Sequence, residues 1–65
     1  MHIGKRIQEV MKEKHCSAIQ MAAALGCDRS NVYNLFSRAS VDTALLAKVG
    51  HVLRHNFFRE LAAEF

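Results

Sequence analysis

The sequence has no proline and no tryptophan, and only three glycines and two cysteines among 65 residues. With 51% hydrophobic residues and nothing that forces a helix to break, the simplest architecture is a compact all-helical bundle. No stretch alternates apolar and polar residues with period two over a useful length, so no strand is expected. A long apolar run and a basic amphipathic helix are both missing, which argues against a membrane as partner. Cys16 and Cys27, in a chain without a signal-like opening, do not make a disulfide framework. They read as reduced, buried packing residues, and the expected location is the cytoplasm. Paired carboxylates, a workable Cys–His couple and a glycine-rich phosphate loop are absent too, and so short a chain leaves no room for a pocket. The expectation is a non-enzyme with no cofactor and no metal. His51 and His55 do stand at i, i+4, the spacing of two metal ligands on a helix, but no acid or cysteine is placed to complete a site. A surface histidine pair is the expected reading.

Sixty-five residues make one domain. A chain this short buries only about 60% of its unfolded surface, so its core is marginal. The net charge of +3 is unevenly placed. Residues 1–38 hold Lys5, Arg6, Lys12, Lys14, Arg29 and Arg38 against Glu9, Glu13 and Asp28, whereas residues 39–65 balance three cations with three acids. The whole excess lies in the first part, which favours a polyanion as partner.

The most informative stretch runs over 17–38. Met21, Ala22 and Leu25 share one side of a helix predicted over 18–25, with Ser17 as its N-cap and Gly26 where the chain must turn with positive φ. Asp28 offers a second N-cap, and Val32, Leu35 and Phe36 repeat at i, i+3, i+4 in a helix predicted over 29–37. Two helices joined so tightly bring their backbones close, and Ala22 is the small residue that such a contact needs. The residues left outward on the second helix are Arg29, Ser30, Asn31, Tyr33, Asn34 and Ser37. Nearly all of them can donate or accept a hydrogen bond, and none carries a carboxylate. Arginine can engage guanine through O6 and N7, and asparagine can engage adenine through N6 and N7. Arg29, Ser30 and Asn34 are therefore the first base-reading candidates, followed by Asn31 and Tyr33.

With Met21-Ala22, Leu25-Gly26-Cys27, Val32 and Leu35 in this order, the chain resembles the helix-turn-helix of the lambda-repressor/Cro-like (Xre) family of transcription regulators. Ile3-Gly4-Lys5-Arg6-Ile7 is similar to the opening of that family's first helix, and Ser40-Val41-Asp42-Thr43 with Leu45-Leu46 to the start of its fourth. About residues 3–60 are covered. The resemblance implies a five-helix domain with helices over about 3–14, 18–25, 29–37, 41–53 and 57–64. It implies a sequence-specific regulator, a repressor by expectation, that binds double-stranded DNA with its third helix in the major groove. By the same resemblance Ser37 and Arg38 lie along the DNA backbone. The helix start at Ser17 and Ala18 offers backbone N–H groups to a phosphate, although Ala18 stands where relatives carry a glutamine clamp. Arg6 is a further phosphate candidate, while Lys5 and Glu9 are spaced to pair with each other.

Ile3, Ile7, Val10 and Met11 give the first helix one apolar stripe, and Leu45, Leu46, Val49, Val52 and Leu53 give the fourth a wide one behind an expected Ser40 cap. Gly50 inside it costs roughly 1 kcal/mol against alanine, which points to a close approach of another helix. Asn56 caps a last helix whose Phe57, Phe58, Leu61 and Phe65 exceed what a small core takes up. A homodimer through this helix is expected, and the resemblance points the same way. The ending Glu64-Phe65 looks abrupt, as if the natural protein continued. The competing reading is a protein-interaction module of the same fold, an antitoxin or adaptor working through that phenylalanine-rich end.

Overall fold

The computed structural model describes residues 1–65 and contains five helices and no strand. They are α1 (Ile3–Glu13), α2 (Ala18–Leu25), α3 (Arg29–Phe36), α4 (Thr43–Leu53) and α5 (Phe57–Ala62). α1 packs on α3 and α4, α2 on the same two helices, and α5 on α4. No helix is long and apolar enough to cross a membrane. The expected stripes meet in one core: Ile3, Ile7, Val10 and Met11 from α1, Met21 and Ala22 from α2, Val32 and Leu35 from α3, with Leu46, Val49, Leu53 and Phe57 closing it. Cys16 and Cys27 are free thiols packed half-buried against its edge rather than fully buried, and burial pushes the Cys16 thiol up from its ordinary range.

Three helices end in the same way. After α2, Gly26 takes φ 70°, Cys27 N–H donates to the Ala22 carbonyl at 3.0 Å and Gly26 N–H to that of Ala23 at 3.3 Å. This is the left-handed terminus that ties off the last free carbonyls of a helix. α1 repeats it with His15 at φ 57°, and α4 with Arg54 at φ 52°. The matching bonds run from Cys16 N–H to Met11 O and from His55 N–H to Gly50 O. Only one of the three left-handed positions is a glycine. A side chain there costs roughly 1–2 kcal/mol, of which glycine's extra freedom in the unfolded chain gives back about half. His15→Gly and Arg54→Gly are each expected to stabilise the fold by about 0.5–1 kcal/mol, read as a rise in thermal midpoint.

The helix starts differ from expectation in two places. Ser17 forms a full capping box, its Oγ accepting from Gln20 N–H and Gln20 Oε1 accepting from Ser17 N–H, and Asn56 caps α5 through Arg59 N–H. The cap of α4 is Asp42 rather than Ser40: its Oδ1 accepts from Leu45 N–H at 2.7 Å, so the helix begins at Thr43. Asp28 occupies the N-cap position of α3 but makes no capping bond. Gly50 is approached not by another helix, as expected, but by the loop after α4, with the Phe57 ring of α5 only in ordinary contact at 3.8 Å. The chain turns back over it after α4, and a Cβ there would lie 2.8 Å from the His55 carbonyl.

Gly4 is under a tighter constraint. Ile3 and Gly4 sit in the first turn of α1, where N–H groups have no partner within the helix. They donate instead to the carbonyls of Ala39 (3.0 Å) and Arg38 (2.8 Å), just beyond α3. A Cβ on Gly4 would fall 2.4 Å from the carbonyl oxygen of Leu35, 2.5 Å from that of Phe36 and 2.7 Å from that of Arg38. The start of α1 is thus seated directly on the end of α3, backbone against backbone.

α5 is tied back to the start of the chain by charge. Arg6 Nε donates to Glu60 Oε2 at 2.7 Å, and the N-terminal ammonium meets Glu64 at 3.1 Å. His55 also bonds Glu60, through Oε1. The hydrogen bond from Arg6, with a smaller one from His55, holds the Glu60 carboxyl below the ordinary 4.5. A depressed carboxyl adds stability that is fully present above the unfolded value and is lost as pH falls through the lower, folded one. Acid denaturation is therefore expected to steepen below pH about 4.5, and Glu60→Gln to remove that component while costing about 1–2 kcal/mol at neutral pH. Urea melts across about pH 2.5 to 7 would measure both.

Candidate nucleic-acid interface

Val32 and Leu35 anchor α3 to the core, and the other positions of the helix, half-buried Phe36 apart, turn outward. Arg29, Ser30, Asn31, Tyr33 and Asn34 are all exposed, and no side chain among them is engaged in a hydrogen bond or ion pair within the chain. Tyr33 stands 57% exposed with its ring edge-on to Phe36, centroids 6.0 Å apart, which fixes the ring and leaves its hydroxyl free. Ser37 donates its hydroxyl to the Asn34 carbonyl at 2.8 Å and closes the helix end. The Arg38 carbonyl is held by Gly4, while its guanidinium is exposed and pairs with no carboxylate. Arg29, Ser30, Tyr33 and Asn34 thus share one open face with Ser37 at its far end, while Asn31 and Arg38 stand at its edge towards α4.

Two of the phosphate candidates stand otherwise than expected. Arg6 is not free. It gathers Glu60, Glu13 (3.8 Å) and Glu9 (3.9 Å), and the hydrogen bond to Glu60 raises its already high pKa further. The expected Lys5–Glu9 pair is replaced by Arg6–Glu9. At Ser17 the capping box consumes the N–H that was offered to a phosphate, leaving the N–H groups of Ala18 and Ile19 without partners in the chain.

The charges sort themselves in a way the sequence did not reveal. Glu9, Glu13 and Glu60 collect on Arg6, Glu64 on the N-terminal ammonium, and Asp42 on the cap of α4. Asp28 is the one carboxylate left unengaged. Every lysine and every arginine other than Arg6 is unpaired. The unpaired cations are spread over the chain, Lys5, Lys12 and Lys14 on or just after α1, Arg29 and Arg38 at the two ends of α3, Lys48 on α4, Arg54 just after it and Arg59 on α5, with the unengaged Asp28 next to Arg29. Only the assembled fold could show this, because Glu60 comes from the far end of the chain.

At the other end, Phe57 is 1% exposed and belongs to the core, which removes it from the expected partner surface. Leu61 is half-buried against the core, while Phe58 (41%) and Phe65 lie open. His51 is exposed and His55 is committed to Glu60 with its ring tilted 60° against that of Phe57, and no group of three metal-ligating side chains occurs. A comparison of the chain with protein-family models, with curated proteins and with solved structures finds no match in any of the three.

Proposed function

We propose that the chain binds double-stranded DNA in a sequence-dependent way, as a transcription regulator, with α3 in the major groove. The observation that carries this reading is the face of α3: five exposed side chains with unspent hydrogen-bonding capacity, beside unpaired cations, on a helix anchored by its other side. Base edges in the major groove demand that chemistry, and phosphates demand those cations. Arg29, Ser30 and Asn34 take the bases, with Asn31 and Tyr33 beside them. Arg38 and the free N–H groups of Ala18 and Ile19 at the start of α2 take the backbone, since the Ser17 N–H and the Ser37 hydroxyl are already spent within the chain. Phe58, Leu61 and Phe65 are the residues through which two copies would associate, setting two α3 helices about 34 Å apart on a palindromic site.

Selection of bound duplexes from a random pool tests the reading, and an enriched symmetric site is the expected result. With that site in hand, Arg29→Ala is expected to relax preference at one base pair and to weaken binding by about 1–3 kcal/mol. An equal loss on every duplex would make Arg29 a phosphate contact instead. The exposure of Phe58 and Phe65 supports a second reading, a protein-interaction module working through α5. Salt separates the two. Binding to DNA weakens steeply as salt displaces the advantage of counterion release, whereas docking of aromatic rings does not.

A further inference from the structure

Between α3 and the first half of α4 lies a crevice of about 270 Å³. Its floor is apolar, made by buried Leu35 with half-buried Leu25, Leu45 and Cys27. Its rim carries the exposed side chains of Arg38, Lys48 and Asn31. Neither cation is paired, and no carboxylate lines the crevice. The crevice corrects the expectation that so short a chain has no room for a pocket, and it was hidden because its walls come from three helices and the loop after α3.

Size and charge together narrow what fits. An apolar cavity of about 150 Å³ suffices for benzene, while drug-sized ligands fill about 300–1,000 Å³. One ring or two fused rings match the floor. An occupant lying there displaces water from two cations at the rim, and a neutral molecule returns nothing for it. A carboxylate does, through charge-assisted bonds to the guanidinium fork and the ammonium, with the Asn31 amide as a further donor. A cationic occupant is repelled by both.

We propose that this crevice is a binding site for a compact aromatic monocarboxylate, ring on the Leu25–Leu35–Leu45 floor and carboxylate at Arg38 and Lys48. The site stands whether or not the chain binds DNA, since none of its features depends on a duplex. Titration of the isotope-labelled chain with naphthoate, followed by amide chemical shifts, tests it directly. Saturable shifts confined to Leu25, Cys27, Asn31, Leu45 and their neighbours are expected, with naphthamide, the uncharged analogue, binding at least about tenfold more weakly. Lys48 is exposed and unpaired, so Lys48→Gln leaves the fold intact. It is expected to weaken naphthoate by about tenfold and leave naphthamide unchanged. Shifts that scatter over the surface or fail to saturate overturn the site. Equal affinity for the two ligands, or a Lys48→Gln variant that binds naphthoate as well as the parent, overturns the anion selection that defines it.

Discussion

Gly4→Ala is expected to abolish the cooperative thermal transition, although alanine is ordinarily the better helix former by about 0.8–1.0 kcal/mol. The added methyl would fall within 2.7 Å of three carbonyl oxygens, those of Leu35, Phe36 and Arg38. Backbone cannot rotate aside as a side chain can, so α1 must lift off the end of α3. Lifting it breaks the bonds from Ile3 and Gly4 to Ala39 and Arg38 and loosens Ile3 and Ile7 from the core. Overpacking of a tight contact costs about 1–3 kcal/mol, occasionally more. Two lost buried hydrogen bonds bring the total to at least about 3 kcal/mol. A domain of this size has little more than that to lose. Circular dichroism during heating reads the outcome, and a variant that melts like the parent would refute the backbone seat. Gly26→Ala, a change at a left-handed turn with open space around it, is the useful contrast, since it strains the chain without a clash.

Phe57→Ala is the second large effect. The ring is fully buried against the core beneath α4, and truncating such a residue costs about 3–5 kcal/mol. Phe58 is the next residue and lies 41% exposed. Its truncation is expected to change monomer stability by less than about 1 kcal/mol. The pair therefore separates a core role from an interface role on one short helix. If two copies associate through α5, Phe58→Ala lowers the sedimentation-derived mass while the thermal midpoint at low concentration stays in place. A Phe58→Ala variant that destabilises the monomer as strongly as Phe57→Ala would assign both rings to the core and leave α5 without an association surface.

The all-helical class and the order of the five helices were legible because the apolar residues recur with helical period and because Ser17 and Asn56 mark starts by their chemistry. The outward face of α3 followed from the same rule: once Val32 and Leu35 are inside, the other positions of the helix, half-buried Phe36 apart, are outside. What stayed hidden depends on distant segments. Ser40 and Asp42 are both cap-forming types two residues apart, and local pattern does not choose between them. The choice falls to the bond that Asp42 makes with Leu45 N–H. Arg6 reads as a free cation until α5 delivers Glu60 to it. Phe57 and Phe58 are neighbours on a helix and so point in different directions, but either one satisfies the pattern until α5 is placed on α4. Gly4 reads as an ordinary residue of a helix opening until the carbonyls beyond α3 arrive over it.

The seat of α1 on α3 also decides which part of α3 can yield. Its last turn is bolted from behind, through Gly4 and the Arg38 carbonyl. Its first turn has no such anchorage, with Asp28 withholding a cap and only a short bond from Asn31 N–H to the Asp28 carbonyl, 3.0 Å, to draw it closed. Arg29 and Ser30 therefore stand at the end of α3 with the fewest backbone ties, one turn from the core contact that Val32 makes.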